Sequence, residues 1–309
     1  MSISPSPAAA VAPAFQSRRR PERRRVLQLI LGVVVYAVSQ VAMTAGAVLV
    51  FGLMSSGDAS ATVGEIIAAA GPAAPTGFLV GAAVSVLGFF LVVRFVSRRR
   101  VAEFSLPGAG REFGWGLLIG VGIVAAAVGI LALLTVYRVV SVQVGLGIVT
   151  GLMFGIGPAV MEEIFFRGFL LRILDDWAGS WGALIVVSVL FALVHALSSP
   201  AGPIAALFVL ISASLALNMA WFLTRRLWMP IALHLGLNAA QGALFGLHVS
   251  GNATGQGLFT ADLVGPDLLT GGAVGGEGSL PFLVMALGVG IVLTVVAVRR
   301  GVMLPRLRR

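Results

Sequence analysis

The strongest constraint on this chain is a series of long apolar runs that admit almost no charge. The stretch "VGLGIVTGLMFGIGPAVM", 144–161, carries none at all. A helix needs about 20 apolar residues to cross the hydrocarbon of a bilayer. Eight runs meet or approach that length, at about 26–54, 76–96, 113–136, 143–174, 181–197, 203–223, 229–248 and 281–298. Only 11% of the 309 residues are charged and 58% are hydrophobic; soluble domains carry roughly a quarter charged residues. The reading is an all-α polytopic membrane protein of about eight transmembrane helices, with a polar cavity inside the membrane. The first and fourth runs exceed the hydrocarbon thickness, so tilt or projection is expected there.

Charge placement orients the chain. All 21 basic residues are arginine. All except Arg138 and Arg167 lie in the N-terminal tail, in 94–112, at 172, at 225–226 or after 298. Arginines clustered at the ends of apolar runs mark the cytoplasmic side, which gives an N-in, C-in topology. The same placement assigns the net charge of +9 to membrane anchoring, and no nucleic-acid partner is expected. Residues 1–25 are expected to be a disordered, arginine-rich cytoplasmic tail. Residues 26–300 form the transmembrane domain and 301–309 a basic tail. The first apolar run is far longer than the roughly 7–15 residues of a signal core and is read as an uncleaved anchor. The glycine-rich stretch 249–280 faces outward and reads as a mobile loop without chemistry. An integral protein of a bacterial plasma membrane is expected.

Polar residues inside the runs carry the functional signal, because ionisable groups there are costly and face a protein interior or a cavity. The fourth run holds Glu162, Glu163 and Arg167, the fifth His195, the sixth Asn218, and the seventh His234, Asn238 and Gln241. Glu163 and Arg167 are four apart and can pair along one helix face. Glu162 is rotated about 100° away and has no local partner. Counted along helices at about 1.5 Å per residue, the glutamates, His195 and the His234–Asn238 pair fall within roughly two turns in depth. Asn218 and Gln241 read as amides bridging spans, and His248 as an interfacial side chain.

A carboxylate beside an imidazole can hold and deprotonate a water. His234 and Asn238, one turn apart, can both donate to a developing oxyanion. Those groups suffice for amide hydrolysis without a serine. With no cysteine in the chain, thiolate chemistry and disulfides are excluded. A metal is the alternative: Glu162, His195 and His234 could hold zinc or another divalent ion with an open position. The residue pattern leaves both routes open. The "GxSG", "HExxH" and "GxGD" motifs of other intramembrane proteases are absent.

"EEIFFR" at 162–167, "FALVH" at 191–195 and "HLGLN" at 234–238 follow one another as EExxxR, FxxxH and HxxxN. In this the chain resembles the CPBP family of intramembrane proteases, the CAAX proteases and bacteriocin-processing enzymes also called Abi. The resemblance covers about 143–245. It implies a helical membrane fold with a cavity open toward the cytoplasm. It also implies peptidase chemistry on a membrane-associated peptide or protein. Glu162 and His195 would position the water, and His234 and Asn238 would form the oxyanion site. Two other readings compete. One is a non-enzymatic membrane immunity or scaffold protein. The other is a transporter using Glu162 as a proton site, which the lack of an internal repeat disfavours.

Overall fold

A computed structural model describes residues 22–54, 74–198, 202–252 and 257–305. The described residues are mostly helical. In order come α1 (Glu22–Met54), α2 (Ala74–Leu91), α3 (Ala109–Leu133), α4 (Leu146–Glu163), α5 (Arg172–Ser198), α6 (Gly202–Ile211), α7 (Ala213–Thr224), α8 (Trp228–Ala239), the short α9 (Asp267–Thr270) and α10 (Leu280–Arg299). Wider π-helical turns extend α2 over Val92–Val96, α4 over Ile164–Leu171 and α8 over Ala240–Leu244. Helix is the form lipid imposes, because every backbone polar group must be satisfied within the segment.

Five helices among the described residues are long and apolar enough to cross a membrane: Arg24–Val50, Thr76–Val96, Ala109–Leu133, Leu146–Leu197 and Leu280–Arg299. The fourth of these contains both the fourth and fifth expected runs, which the chain separates by a turn at Gly179 (φ 75°, ψ 169°). The sixth run is broken at Ser212 into α6 and α7, and the seventh is α8 with its π turn. α1 begins at Glu22, inside the stretch expected to be disordered. Residues 1–21 and 306–309 lie outside the described residues, as does 55–73.

The arginine-bearing segments meet at one end of the bundle. There Arg226 pairs with Glu112 at 2.9 Å, Arg25 with Asp176 at 3.5 Å and Arg172 with Glu103 at 3.7 Å. Arg99 also pairs with Glu103, and Arg225 with Asp175. Every one of those partners lies in or beside a segment expected on the cytoplasmic side. The opposite end is built by the other set of connections. β1 (Tyr137–Val142) pairs antiparallel with β2 (Phe259–Leu263). Leu258 N donates to Ala243 O at 2.8 Å, and the Tyr137 hydroxyl donates to Phe245 O at 2.9 Å.

This end corrects the reading of 249–280 as a mobile loop. Its described part is a bonded cap: the β2 strand, α9, and two 3-10 turns at Gly272–Val274 and Gly276–Gly278. Gly251 N donates to Val274 O at 2.9 Å and so ties the two plies of the cap together. Glycine-rich composition reads as loop because it lacks side-chain periodicity. The order here comes from backbone hydrogen bonds to segments distant in sequence, which leave no such trace. Residues 253–256 lie outside the described residues.

α8 is the central element, lying against α3 on one side and α4 on the other. The approach to α3 is set by Gly120: a Cβ there would stand 2.3 Å from Leu233 O. On the α4 side, a Cβ on Gly151 would stand 2.4 Å from Ala243 N. Small residues of this kind let helix backbones touch, as is common where lipid supplies no hydrophobic drive. The result brings the His234 face of α8 directly onto the end of α4.

Candidate active site

Glu162 and Glu163 end α4, just where the helix widens into the π turn of Ile164–Leu171. Widened turns of this kind recur at functional sites. The two carboxylates point apart, as their angular separation requires. Glu163 is fully buried, and its Oε1 accepts from Arg167 Nη1 at 2.8 Å and from His234 Nδ1 at 2.9 Å. Glu162 is partly exposed and lines a cavity. Its Oε2 is buried with no hydrogen-bond partner among the described residues.

The cavity has a volume of about 80 Å³ and is lined by Glu162, His195, His234 and Asn238. Phe154 and Pro158 of α4 add one wall, and Val249, Ser250 and Asn252 of the cap complete it. At about 30 Å³ per water, it has room for two or three waters. Three helices thus bring carboxylate, imidazole and amide together at one place, as the depth comparison anticipated. Glu163 and Arg167 stand behind that wall and do not line it.

The rings are held by specific bonds. His195 Nδ1 lies 2.9 Å from Phe191 O, one turn back on α5, which leaves Nε2 toward the cavity. His234 is fixed by its Glu163 contact in the same way. Phe191 is a hub. Its ring lies 4.6 Å from the His195 ring and 6.3 Å from the His234 ring, and the Arg167 guanidinium sits 4.7 Å above it.

Arg167 carries the network further. Its Nε donates to Asn218 Oδ1 at 3.0 Å. Asn218 Nδ2 in turn donates to Ser188 Oγ at 3.0 Å and Ser214 Oγ at 3.4 Å. Asn218 therefore bridges spans as expected, and its partner proves to be the motif arginine. Gln241 donates to Leu237 O at 3.2 Å within its own helix. His248 is exposed beside Gly275, at the cap.

Several residues here escaped the sequence reading. Ser188 and Ser214 are ordinary small polar residues in apolar helices and carry no motif. Ser250 and Asn252 sit in the stretch read as inert. Glu277, also in that stretch, is 7% exposed and accepts from Ser250 through side chain and backbone. Burial pushes its carboxyl above the ordinary range; Ser250's bonds and the charges of His195 and His234 pull it back. No sequence signal set it apart: Glu277 is one of three acidic residues in that stretch, with Asp262 and Asp267, and only its burial distinguishes it.

Metal ligation was the open alternative. Among the described residues no three of His, Cys, Asp and Glu are arranged to hold a metal ion. Glu162, His195 and His234 share the cavity without forming such a group. A second hollow of about 430 Å³ opens between α2 and α3 and is lined by apolar side chains such as Phe90, Phe104 and Trp228. None of the polar site residues reaches it.

Residues 143–240 match the model of a protein family, the type II CAAX prenyl endopeptidase Rce1-like proteins. That match spans all three motifs, from before Glu162 to beyond Asn238. Over these residues the chain is similar to the Rce1-like family. No curated protein and no solved structure matches the chain. The matched segment comprises α4 to α8 and so includes the three helices that bring Glu162, His195, His234 and Asn238 to the cavity; α1 to α3, α10 and the cap lie outside it. The family is a protease family acting at membranes, which supports peptidase activity for an integral membrane protein.

Proposed function

We propose that the protein is an intramembrane endopeptidase. It would hydrolyse a peptide bond with a water activated by Glu162 and His195. The observation that carries this reading is the meeting of Glu162, His195, His234 and Asn238 around one small cavity.

The chemistry follows from what each group has left to offer. Glu162 has an unpartnered carboxylate oxygen, so it can accept a proton from water. His195, held through Nδ1, offers Nε2 to position that water. The water oxygen attacks the carbonyl carbon while its proton passes to Glu162. The carbonyl oxygen gains the negative charge and is met by His234 and Asn238. Protonated, His234 donates Nδ1–H to Glu163 and still has Nε2–H for the oxyanion. In that form Glu162, Glu163, Arg167 and His234 sum to zero charge, which suits an apolar surrounding. Collapse of the intermediate breaks the C–N bond, and Glu162 returns its proton to the leaving amine. Glu163 and Arg167 act by holding His234, without touching the substrate.

The test is cleavage of a tagged membrane peptide by purified protein. Glu162→Gln and His195→Ala should each lower the rate by about 10²–10⁴-fold, the usual share of a positioned acid–base group. Retention of wild-type cleavage by either variant overturns the assignment. Treatment with a chelator should leave the rate unchanged. Loss of activity on chelation, restored by zinc, would replace the carboxylate-activated water by a metal-held one.

A further inference from the structure

The cavity has a second polar lining that the water-activating groups and the oxyanion donors do not account for. Val249, Ser250 and Asn252 reach it from the cap, beside Glu162, His195, His234 and Asn238. They lie beyond residue 240, where the Rce1-like match ends. Together they form one tight turn. Val249 N donates to Asn252 O at 3.0 Å, and Asn252 N donates to Val249 O at 2.9 Å. The two central residues, Ser250 and Gly251, both have positive φ, 49° and 79°, as a type I′ turn requires. Glycine, asparagine and aspartate suit such positions, and serine is disfavoured there. A conformation of that kind persists only where the surroundings hold it. Here Glu277 does so, accepting from both the hydroxyl and the backbone N–H of Ser250. Asn252 is fixed as well: its Nδ2 donates to Val249 O and to Ser250 O, each at 3.3 Å.

Those bonds decide what the turn can offer a ligand. A serine hydroxyl has one proton and two acceptor lone pairs. The Ser250 proton is directed to Glu277, so Oγ brings acceptor capacity to the cavity. An asparagine side chain has an NH₂ donor and a carbonyl acceptor. The Asn252 NH₂ is engaged by backbone carbonyls, so Oδ1 is what it brings. The cap wall is therefore rich in acceptors, whereas α8 supplies donors, His234 and Asn238. A trans peptide group has one acceptor, its C=O, and one donor, its N–H, pointing opposite ways across a plane. At about 80 Å³ the cavity is far below the roughly 300 Å³ at which whole-ligand pockets begin. It encloses a reacting amide with its water, and the polarity of its walls reads the amide itself.

We propose that the Ser250–Asn252 turn receives the N–H of the scissile bond, with Ser250 Oγ as the acceptor, Asn252 Oδ1 beside it, and Glu277 as the positioning residue that keeps Ser250 turned to the cavity. The protein is then selective for secondary amides. Bonds that precede proline, and N-alkylated bonds, lack the proton and are poor substrates. The role rests on the peptidase reading above and adds to it. With the N–H held on the cap, the lone pair that develops on nitrogen in the tetrahedral intermediate points away from the cap. Glu162 gives that lone pair the proton it took from water, the C–N bond breaks, and the amine leaves carrying both hydrogens. The carbonyl carbon keeps the water oxygen.

The experiment uses the purified full chain and the tagged membrane peptide of the cleavage assay, its cut bond located by mass spectrometry. A second peptide differs only by a methyl group on the nitrogen of that bond. Wild type should cut the N-methyl peptide about tenfold more slowly or worse, as expected when a buried acceptor loses its donor. Ser250→Gly keeps the turn, because glycine accepts positive φ, and removes the hydroxyl. It should cut the parent peptide about tenfold more slowly, with little further loss on N-methylation. Glu277→Ala should lower the ratio between the two peptides in the same direction. Asp262→Asn, an exposed acid of the cap, should change neither rate nor ratio. Thermal unfolding of each variant separates loss of the fold from loss of the contact. Equal cutting of both peptides by wild type overturns the N–H receptor and leaves the peptidase standing. An undiminished ratio in folded Ser250→Gly overturns the role of Ser250, and an undiminished ratio in folded Glu277→Ala overturns that of Glu277. Absence of any cutting by wild type refutes the peptidase reading, and the N–H receptor with it.

Discussion

Replacing Glu163 and Glu162 by glutamine, one at a time, should produce opposite signatures, although the two residues are adjacent. Both changes keep size and shape and remove one negative charge. Glu163 Oε1 accepts two charge-assisted bonds, from Arg167 at 2.8 Å and His234 at 2.9 Å, in a fully buried setting. Bonds to charged groups contribute about 1.5–3 kcal/mol each. Removing one member of a buried ion cluster costs about 3–5 kcal/mol, because the remaining charges are left unpaired. Glutamine retains a neutral acceptor, so about 3–4 kcal/mol is expected. For a chain of this size that lowers the unfolding midpoint by roughly 10 °C. Glu162 has no such partners, and its Oε2 is buried and unbonded. Neutralising it should leave the midpoint unchanged or raise it slightly, while cleavage is lost. The assay is thermal unfolding in detergent, followed by tryptophan fluorescence, with buried Trp221 as one reporter. If Glu163→Gln melts with wild type while Glu162→Gln melts lower, the division of roles between the two glutamates is wrong.

Three other outcomes test the architecture. Gly120→Val should cost about 1–3 kcal/mol by overpacking. It should also lower cleavage about 100-fold by displacing His234 and Asn238; Gly122→Val, where a Cβ meets nothing within 4 Å, should do neither. Asn218→Leu leaves Arg167 Nε and two buried serines without their partner and should destabilise by about 1–3 kcal/mol in the same melting assay. At alkaline pH the cap should loosen. Burial pushes the Tyr137 hydroxyl up to about 12 from 10.0, so above pH 10.0 the unfolded chain releases a proton that the folded one keeps, and stability falls as pH rises toward 12. Tyr137→Phe should flatten that part of the stability curve.

The motif residues show where a linear reading succeeds. The pairing of Glu163 with Arg167 follows from helix periodicity and needs no tertiary knowledge. The same periodicity turns Glu162 the other way. Which groups would complete the cluster was anticipated in part, through depth along neighbouring helices. The contact between Glu163 and His234 was not. It depends on how closely α8 approaches α4, and that is set by helix crossings rather than by residue spacing. The role of Phe191 was hidden for a related reason: a phenylalanine in an apolar helix looks the same whether it faces lipid or an arginine. The cap was missed because backbone hydrogen bonding between distant segments leaves no pattern in composition.

What the sequence alone determined is what lipid enforces. Apolar length dictates helices, arginine placement separates the two ends of the bundle, and rare charges mark the site. These are one-dimensional consequences of a solvent that rejects backbone polarity and charge. Tertiary structure alone decided how the cavity is walled. Three helices bring Glu162, His195, His234 and Asn238 to it, and Ser250, held by Glu277, reaches it from the cap. Those side chains are brought together by glycine-mediated helix contacts and by loops that bond across the end of the fold, and neither is readable from the order of residues.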